Sequence, residues 1–239
     1  MSGQAVVWAG SGTAWPSVGW GEPVADLLVR MGWQVDVVPW GDPAAEHQGR
    51  LDVLHVFSGG LEPVGSGTAA MADRLDAVRA GIGAAEGGRA CVLGICLGAQ
   101  MIAAVSGGVL PEPVPGGGEV GTATLHGLDL PDLHVPDLHV ATAHVQQVPE
   151  AYLRTPGVQL TWTGNVTRVQ GFTLGARVAG VQFHPELDAA EAARAGQAFT
   201  DLVGVPSADL AEGELDPARS LGAVLATAGA HRLAASLAA

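Results

Sequence analysis

The heptapeptide Gly-Ile-Cys-Leu-Gly-Ala-Gln at residues 94–100 constrains this chain more than any other stretch. The apolar Cys91-Val-Leu before it reads as the end of a buried strand, and Met101-Ile-Ala-Ala-Val after it as the start of a helix. A cysteine between two glycines at a strand-to-helix corner is the thiol form of a nucleophile elbow. Gly94 and Gly98 let the chain turn sharply and keep side chains out of the way. Cys96 is pushed onto the corner with its sulfur above the sheet. The backbone N–H of Leu97 then lies at a helix N-terminus, where the dipole favours a thiolate and a developing oxyanion. A buried structural cysteine is the plain alternative, and the glycine frame argues against it.

A nucleophile needs a base. Val181-Gln-Phe-His-Pro-Glu supplies one at residues 181–186. An apolar strand, 177–183, is expected to end in His184, with Pro185 stopping the strand and fixing the turn. Glu186 follows closely enough to orient the His184 ring and stabilise its imidazolium. Cys96, His184 and Glu186 therefore read as nucleophile, base and orienter.

Composition narrows the field. At 239 residues and 48% hydrophobic content, one α/β domain is the natural expectation. No run reaches the apolar length of a membrane span. The N-terminus carries no basic n-region, so no secretory signal is visible. Cys91 and Cys96 are the only cysteines, which fits a reducing cytoplasm rather than a disulfide framework. The net charge of −13 argues against nucleic acid or an anionic membrane as partner. The chain contains no lysine, and all 11 of its strongly basic residues are arginine. That excludes a Schiff-base lysine, a serine–lysine dyad and a Walker A lysine, so Gly60 to Gly67 is no phosphate loop.

Strands are expected at 5–9, 34–39, 51–57 and 89–94. They alternate with helices at 23–31 (Val24, Leu27, Leu28, Met31 inward) and 67–85 (Met71, Leu75, Val78 inward). This alternation indicates a parallel sheet covered on both faces. The second half changes character, with short strands at 119–125, 138–143, 159–162, 168–174 and 177–183 that suggest an antiparallel or mixed extension. A helix follows at 188–203, packing Phe199 and Leu202. The segment 206–239 reads as a tail whose helix, 216–237, packs Leu221, Val224, Leu225, Leu233 and Leu237 on the domain. The duplicated Pro-Asp-Leu-His-Val at 131–135 and 136–140 places His126, His134, His139 and His144 near one another in sequence. His134 and His139 are an odd number of residues apart and would face opposite sides of an extended strand, so no metal site and no cofactor is expected.

Together these residues resemble the class I (triad) glutamine amidotransferases over about 1–205, nearest to the amidotransferase domain of GMP synthetase and its stand-alone relatives. Four further segments match in order. Val56-Phe-Ser-Gly-Gly resembles the family's oxyanion strand, Ser-Gly-Gly-Pro. Glu119-Val-Gly resembles Glu-Ile-Gly. Ala143-His-Val-Gln-Gln-Val-Pro resembles Ser-His-x-Asp-x-Val-x-x-Leu-Pro. Val169-Gln-Gly-Phe resembles the strand before the catalytic histidine. The fold implied is flavodoxin-like α/β, a mostly parallel central sheet with flanking helices and a small antiparallel extension.

The resemblance implies that Cys96 attacks the side-chain amide of L-glutamine, with His184 as acid and base and Glu186 holding it. The N–H groups of Gly60 and Leu97 would hold the oxyanion, and Gly59, Gln100, Ala143, His144 and Gln146 would shape the substrate site. Ammonia would pass to a separate synthetase, since 239 residues leave no room for the ATP-using half. Two departures stand out. Leu61 replaces the usual proline, and Gln146 stands where close relatives carry the aspartate that meets the substrate's α-ammonium. Gln146 keeps open a stand-alone γ-glutamyl hydrolase acting on a γ-glutamyl amine or peptide. A non-catalytic scaffold is disfavoured by the intact Cys96, His184, Glu186 set.

Overall fold

Two wholly buried runs, apolar but for His55, make the centre of the main sheet. In β3 (Val53–Phe57) and β4 (Ala90–Ile95) every residue is buried, as expected of parallel strands covered on both faces. The computed structural model describes residues 3–12, 15, 19–43, 47, 50–204 and 214–230. β1 (Gln4–Trp8) pairs in parallel with β2 (Gln34–Val38) on one side and β3 on the other, and β3 continues in parallel to β4. The connecting helices are α1 (Glu22–Arg30), α2 (Ala69–Glu86) and α3 (Leu97–Gly107).

The later strands turn the sheet antiparallel. β11 (Val178–Val181) lies parallel to β4. β10 (Gly171–Leu174), β9 (Val158–Thr163), β6 (Glu119–Gly127) and β7 (Leu138–His144) then follow, each antiparallel to its neighbour. The spatial order is β2-β1-β3-β4-β11-β10-β9-β6-β7, and a two-stranded ribbon of β5 (Glu112–Pro113) and β8 (Gln146–Gln147) stands apart. The expected α/β architecture is therefore observed, with its mostly parallel sheet, flanking helices and small antiparallel extension.

α4 (Ala189–Val203) begins with a capping box in which Asp188 and Glu191 each accept the other's backbone N–H. α5 (Pro217–Thr227) packs against β7 and β11. Leu221, Val224 and Leu225 of α5 join the same buried cluster as Val7, Leu54 and Leu93. Leu233 and Leu237 lie outside the described residues, and so does the start of the tail at Pro206 and Ser207.

Several boundaries differ from the sequence reading, each for a physical reason. The strand expected at 177–183 stops at Val181. Beyond it the Gln182 N–H donates to Gln170 O and the His184 N–H to Ala141 O, so the chain leaves β4 before the histidine is reached. The strand expected from Arg168 begins only at Gly171. On α1, Met31 falls at the C-cap and is 37% exposed. On α2, Leu75 packs partly buried against the core as expected, and its neighbour Arg74 is buried as well. The Arg74 guanidinium is 5.1 Å from the Trp8 ring and 5.5 Å from that of Trp40, and donates to Pro39 O. Burial holds its pKa down at about 10. An aromatic sandwich thus lets an arginine be buried in the core beside the apolar face.

The four histidines of the duplicated segment go separate ways. His126 meets Asp137, His134 meets Asp129, and His139 meets Thr124. Among the described residues no group of three or more His, Cys, Asp or Glu side chains could hold a metal ion. No described helix is long and apolar enough to cross a membrane.

Close packing, not turn geometry, explains the two elbow glycines. A Cβ on Gly98 would lie 2.0 Å from the carbonyl oxygen of Phe57, and one on Gly94 would lie 2.5 Å from the carbonyl carbon of Gly98. Neither residue is among those with a positive φ. Both exist so that α3 can sit directly on β3 and β4. Gly98→Ala should therefore cost about 3 kcal/mol, at the upper end for overpacking a tight core contact. Urea denaturation monitored by circular dichroism measures it, and an unchanged midpoint would contradict the packing argument.

Candidate active site

The corner residue is Cys96 itself, with φ 51° and ψ −105°. Positive φ is uncommon for a residue with a Cβ, and it marks the strained turn between β4 and α3. The Cys96 N–H donates to Val181 O at 2.7 Å, which ties the corner to the end of β11. Its thiol points toward Ala143 O, 3.8 Å from the sulfur. Leu97 is the first residue of α3, so its N–H precedes the helix's own hydrogen-bond ladder.

His184 arrives from the same strand end. Its backbone is fixed by the bond to Ala141 O at 2.8 Å, and its Nδ1 lies 2.8 Å from Glu186 Oε1. Both side chains are fully buried. Burial alone would oppose a charge on His184. The Glu186 carboxylate and the Cys96 sulfur outweigh it and raise the pKa to about 10. Nδ1–H is committed to Glu186, Nε2 has no hydrogen-bond partner among the described residues, and Cys96 is near enough to contribute to the raised pKa of the ring.

The Trp20 ring lies 5.3 Å from the His184 ring, tilted by 38°, and is itself in edge contact with Trp15 and Phe199. Gly59 gives the imidazole clearance, since a Cβ there would lie 2.7 Å from His184 Cε1.

The turn after β3 completes the corner. Ser58 Oγ accepts from Gly10 N–H, and the Leu61 and Glu62 N–H groups both bond to Ser11. This holds Gly60 against α3, where an added Cβ would lie 2.8 Å from Leu97 Cδ2. Gly60 and Leu97 thus face one another beside Cys96. Leu61 closes this turn without the proline usual in the resembled family, because Ser11 supplies the restraint.

A cavity of about 240 Å³ opens over the sulfur. Gly60, Cys96, Leu97, Gln100, His144 and Gln146 are in its wall, six residues singled out from sequence. Gly59 and Ala143 are not on that wall. Gly59 backs the histidine, and Ala143 offers its carbonyl to the thiol. Gln100 Nε2 donates to Gln146 O at 2.9 Å, and the His144 ring meets the same oxygen at 3.2 Å. His144 Nε2 lies 3.3 Å from Glu119 Oε2, which also accepts from Gln170 Nε2 at 2.8 Å. The segments at 119–121, 143–149 and 169–172 therefore meet behind the cavity, through the Glu119–His144 contact and the Gln170–Glu119 hydrogen bond. Glu62 and Phe199 also line it and escaped the sequence reading. Glu62 could have been found from its place two residues after Gly60. Phe199 carries no local signal, because α4 brings it from far along the chain. A larger cavity of about 430 Å³ lies near Ile82, Leu174 and Arg177, at the other end of the strands and away from Cys96.

The family Glutamine amidotransferase class-I matches residues 21–196. The chain belongs to the class I glutamine amidotransferases. No curated protein matches it in sequence. Among solved structures it is similar to a protein described as a subunit of GMP synthase, from Thermoplasma acidophilum, with 19% identity over 97% of this chain and 96% of that one and a TM-score of 0.62. A glutamine amidotransferase from Thermotoga maritima shows 19% identity, coverage of 96% and 94%, and a TM-score of 0.64. PurLQS from Thermotoga maritima shows 18% identity, coverage of 84% and 99%, and a TM-score of 0.56. At these identities the likeness is one of fold.

Proposed function

We propose that this protein hydrolyses the side-chain amide of L-glutamine through a Cys96 thioester and hands the ammonia to a separate synthase. The observation that carries the reading is the buried His184–Glu186 pair meeting a cysteine held at positive φ, beside a cavity of amino-acid size.

The raised His184 pKa supports a resting imidazolium next to the sulfur. Thiolate attack on the amide carbon forms the C–S bond and moves the π electrons onto oxygen. The Gly60 and Leu97 N–H groups stabilise that oxyanion, each such donor being worth about 10²–10³ in rate. As the C–N bond breaks, His184 Nε2 gives its proton to the departing nitrogen, and ammonia leaves. His184, now neutral, takes a proton from water as the water attacks the thioester. Collapse expels the Cys96 sulfur, releases glutamate and returns Cys96 and His184 to their starting state. Glu186 keeps the ring oriented throughout.

A separate acceptor is supported by the likeness to PurLQS and to the Thermoplasma acidophilum protein, which is named for its place in GMP synthase. We read the compartment as the cytoplasm. Gln146 at the cavity wall favours one competing reading, a stand-alone γ-glutamyl hydrolase in which water is the only acceptor. Glutamate release from L-glutamine, measured alone and with a co-purified synthase, separates the two. Stimulation by the partner is expected. Rapid unassisted turnover of a γ-glutamyl peptide, with glutamine untouched, would overturn the proposal.

A further inference from the structure

Glutamine presents two charges to its site besides the reacting amide. The α-ammonium needs an anionic or carbonyl partner once it is out of water. Among the described residues, Glu62 is the only acidic residue that lines the cavity over Cys96. The acidic groups nearby are otherwise committed, Glu119 to His144 and Gln170 and Glu186 to His184. Gln146 brings a neutral side chain, and its backbone carbonyl already accepts from Gln100 and faces His144. No arginine among the described residues lines the cavity to neutralise Glu62.

Glu62 is also held in place. Its Oε1 accepts from Ser66 Oγ at 2.6 Å and from the Thr68 hydroxyl. Thr68 is the N-cap of α2, accepting from Met71 N–H. On the backbone side, Glu62 N–H donates to Ser11 Oγ at 2.7 Å. The carboxylate is thus tethered at a helix N-terminus, where negative charge is favoured, and both of these tethers fall on one of its oxygens. A pre-positioned group of this kind binds without the cost of ordering a free side chain.

Resting on the glutaminase reading above, we propose that Glu62 receives the substrate's α-ammonium and makes this cavity selective for γ-amides that carry a free α-amino group. It takes the part that Gln146, being uncharged, does not. Compounds with the same chain but no amino group, or with that amino group acylated, are poor substrates.

The test compares two affinity labels on the full chain. One is the chloroketone analogue of glutamine, L-2-amino-4-oxo-5-chloropentanoate. The other is the same chloroketone without the amino group. Each alkylates the Cys96 sulfur with loss of chloride, and mass spectrometry reads the rate of adduct formation. The unchanged protein should prefer the amino compound. In Glu62→Gln that preference should fall about 10-fold or more, the size expected for losing a charged hydrogen bond, and Glu62→Asp should fall between. Labelling of Cys96 with the same preference in Glu62→Gln overturns the role of Glu62 alone. Failure of both compounds to label the unchanged protein, while iodoacetamide does, overturns the glutamine reading and this inference with it.

Discussion

Cys96→Ser is expected to lower glutamine hydrolysis by about 10⁴-fold or more, the scale seen when a covalent nucleophile is removed. Cys96 lines the cavity at a corner of positive φ, and its sulfur contributes to the raised pKa of the buried His184. A serine there keeps the corner but needs a stronger base than an imidazole already protonated by its surroundings. The fold should survive, because Ser is smaller than Cys and the φ of 51° is imposed by the corner, not by the side chain. A coupled glutamate assay and a thermal melt check both halves. Retained hydrolysis in a well-folded variant would remove Cys96 from the mechanism.

Glu186→Gln is expected to cost about 10²–10⁴-fold, the range for general acid–base catalysis, and to change the pH profile. In the unchanged protein the first step needs the His184 imidazolium, and the pKa is raised by Glu186 and Cys96 against the effect of burial. The alkaline limb of kcat/KM therefore lies above the ordinary histidine range of about 6.5. Removing the carboxylate leaves burial less opposed, and the limb moves to lower pH. The sign for stability follows by linkage. The native state holds the proton that the unfolded chain releases above about 6.5. The stabilisation is full below that value and is lost as pH rises through the native pKa of about 10. Glu186→Gln should flatten that loss. An alkaline limb unmoved by the substitution would exclude Glu186 as the group that sets the charge on His184.

Much of the site was legible because its signals are local. Gly94 and Gly98 flank Cys96 within one turn, and the strand and helix on either side are plain from apolar runs. Even so, the glycines act through close contact with Phe57 O and with one another, which only tertiary packing reveals. The His-Pro-Glu motif was legible as a motif but not in its placement. The strand ends at Val181, and His184 is positioned by a single bond to Ala141 from a strand reached by long connections. Trp20 and Phe199 were missed for the same reason: each reaches the site from a separate element, and nothing in its own neighbourhood encodes the destination. Glu62 did carry a local signal, its place two residues after Gly60. Arg74 was missed because a helical apolar period points to Met71, Leu75 and Val78 and leaves a charged residue outside, whereas two tryptophans make it acceptable inside.

The central claim is that Cys96, not Cys91, attacks the amide carbon of glutamine. Both cysteines are buried and neither is in a disulfide, but only Cys96 lines the cavity. The direct measurement is peptide mapping after reaction with the chloroketone analogue of glutamine, with excess L-glutamine as protectant. One adduct per chain is expected, on Cys96, with its formation slowed by glutamine. An adduct on Cys91, or labelling of Cys96 that glutamine leaves unchanged, would contradict it.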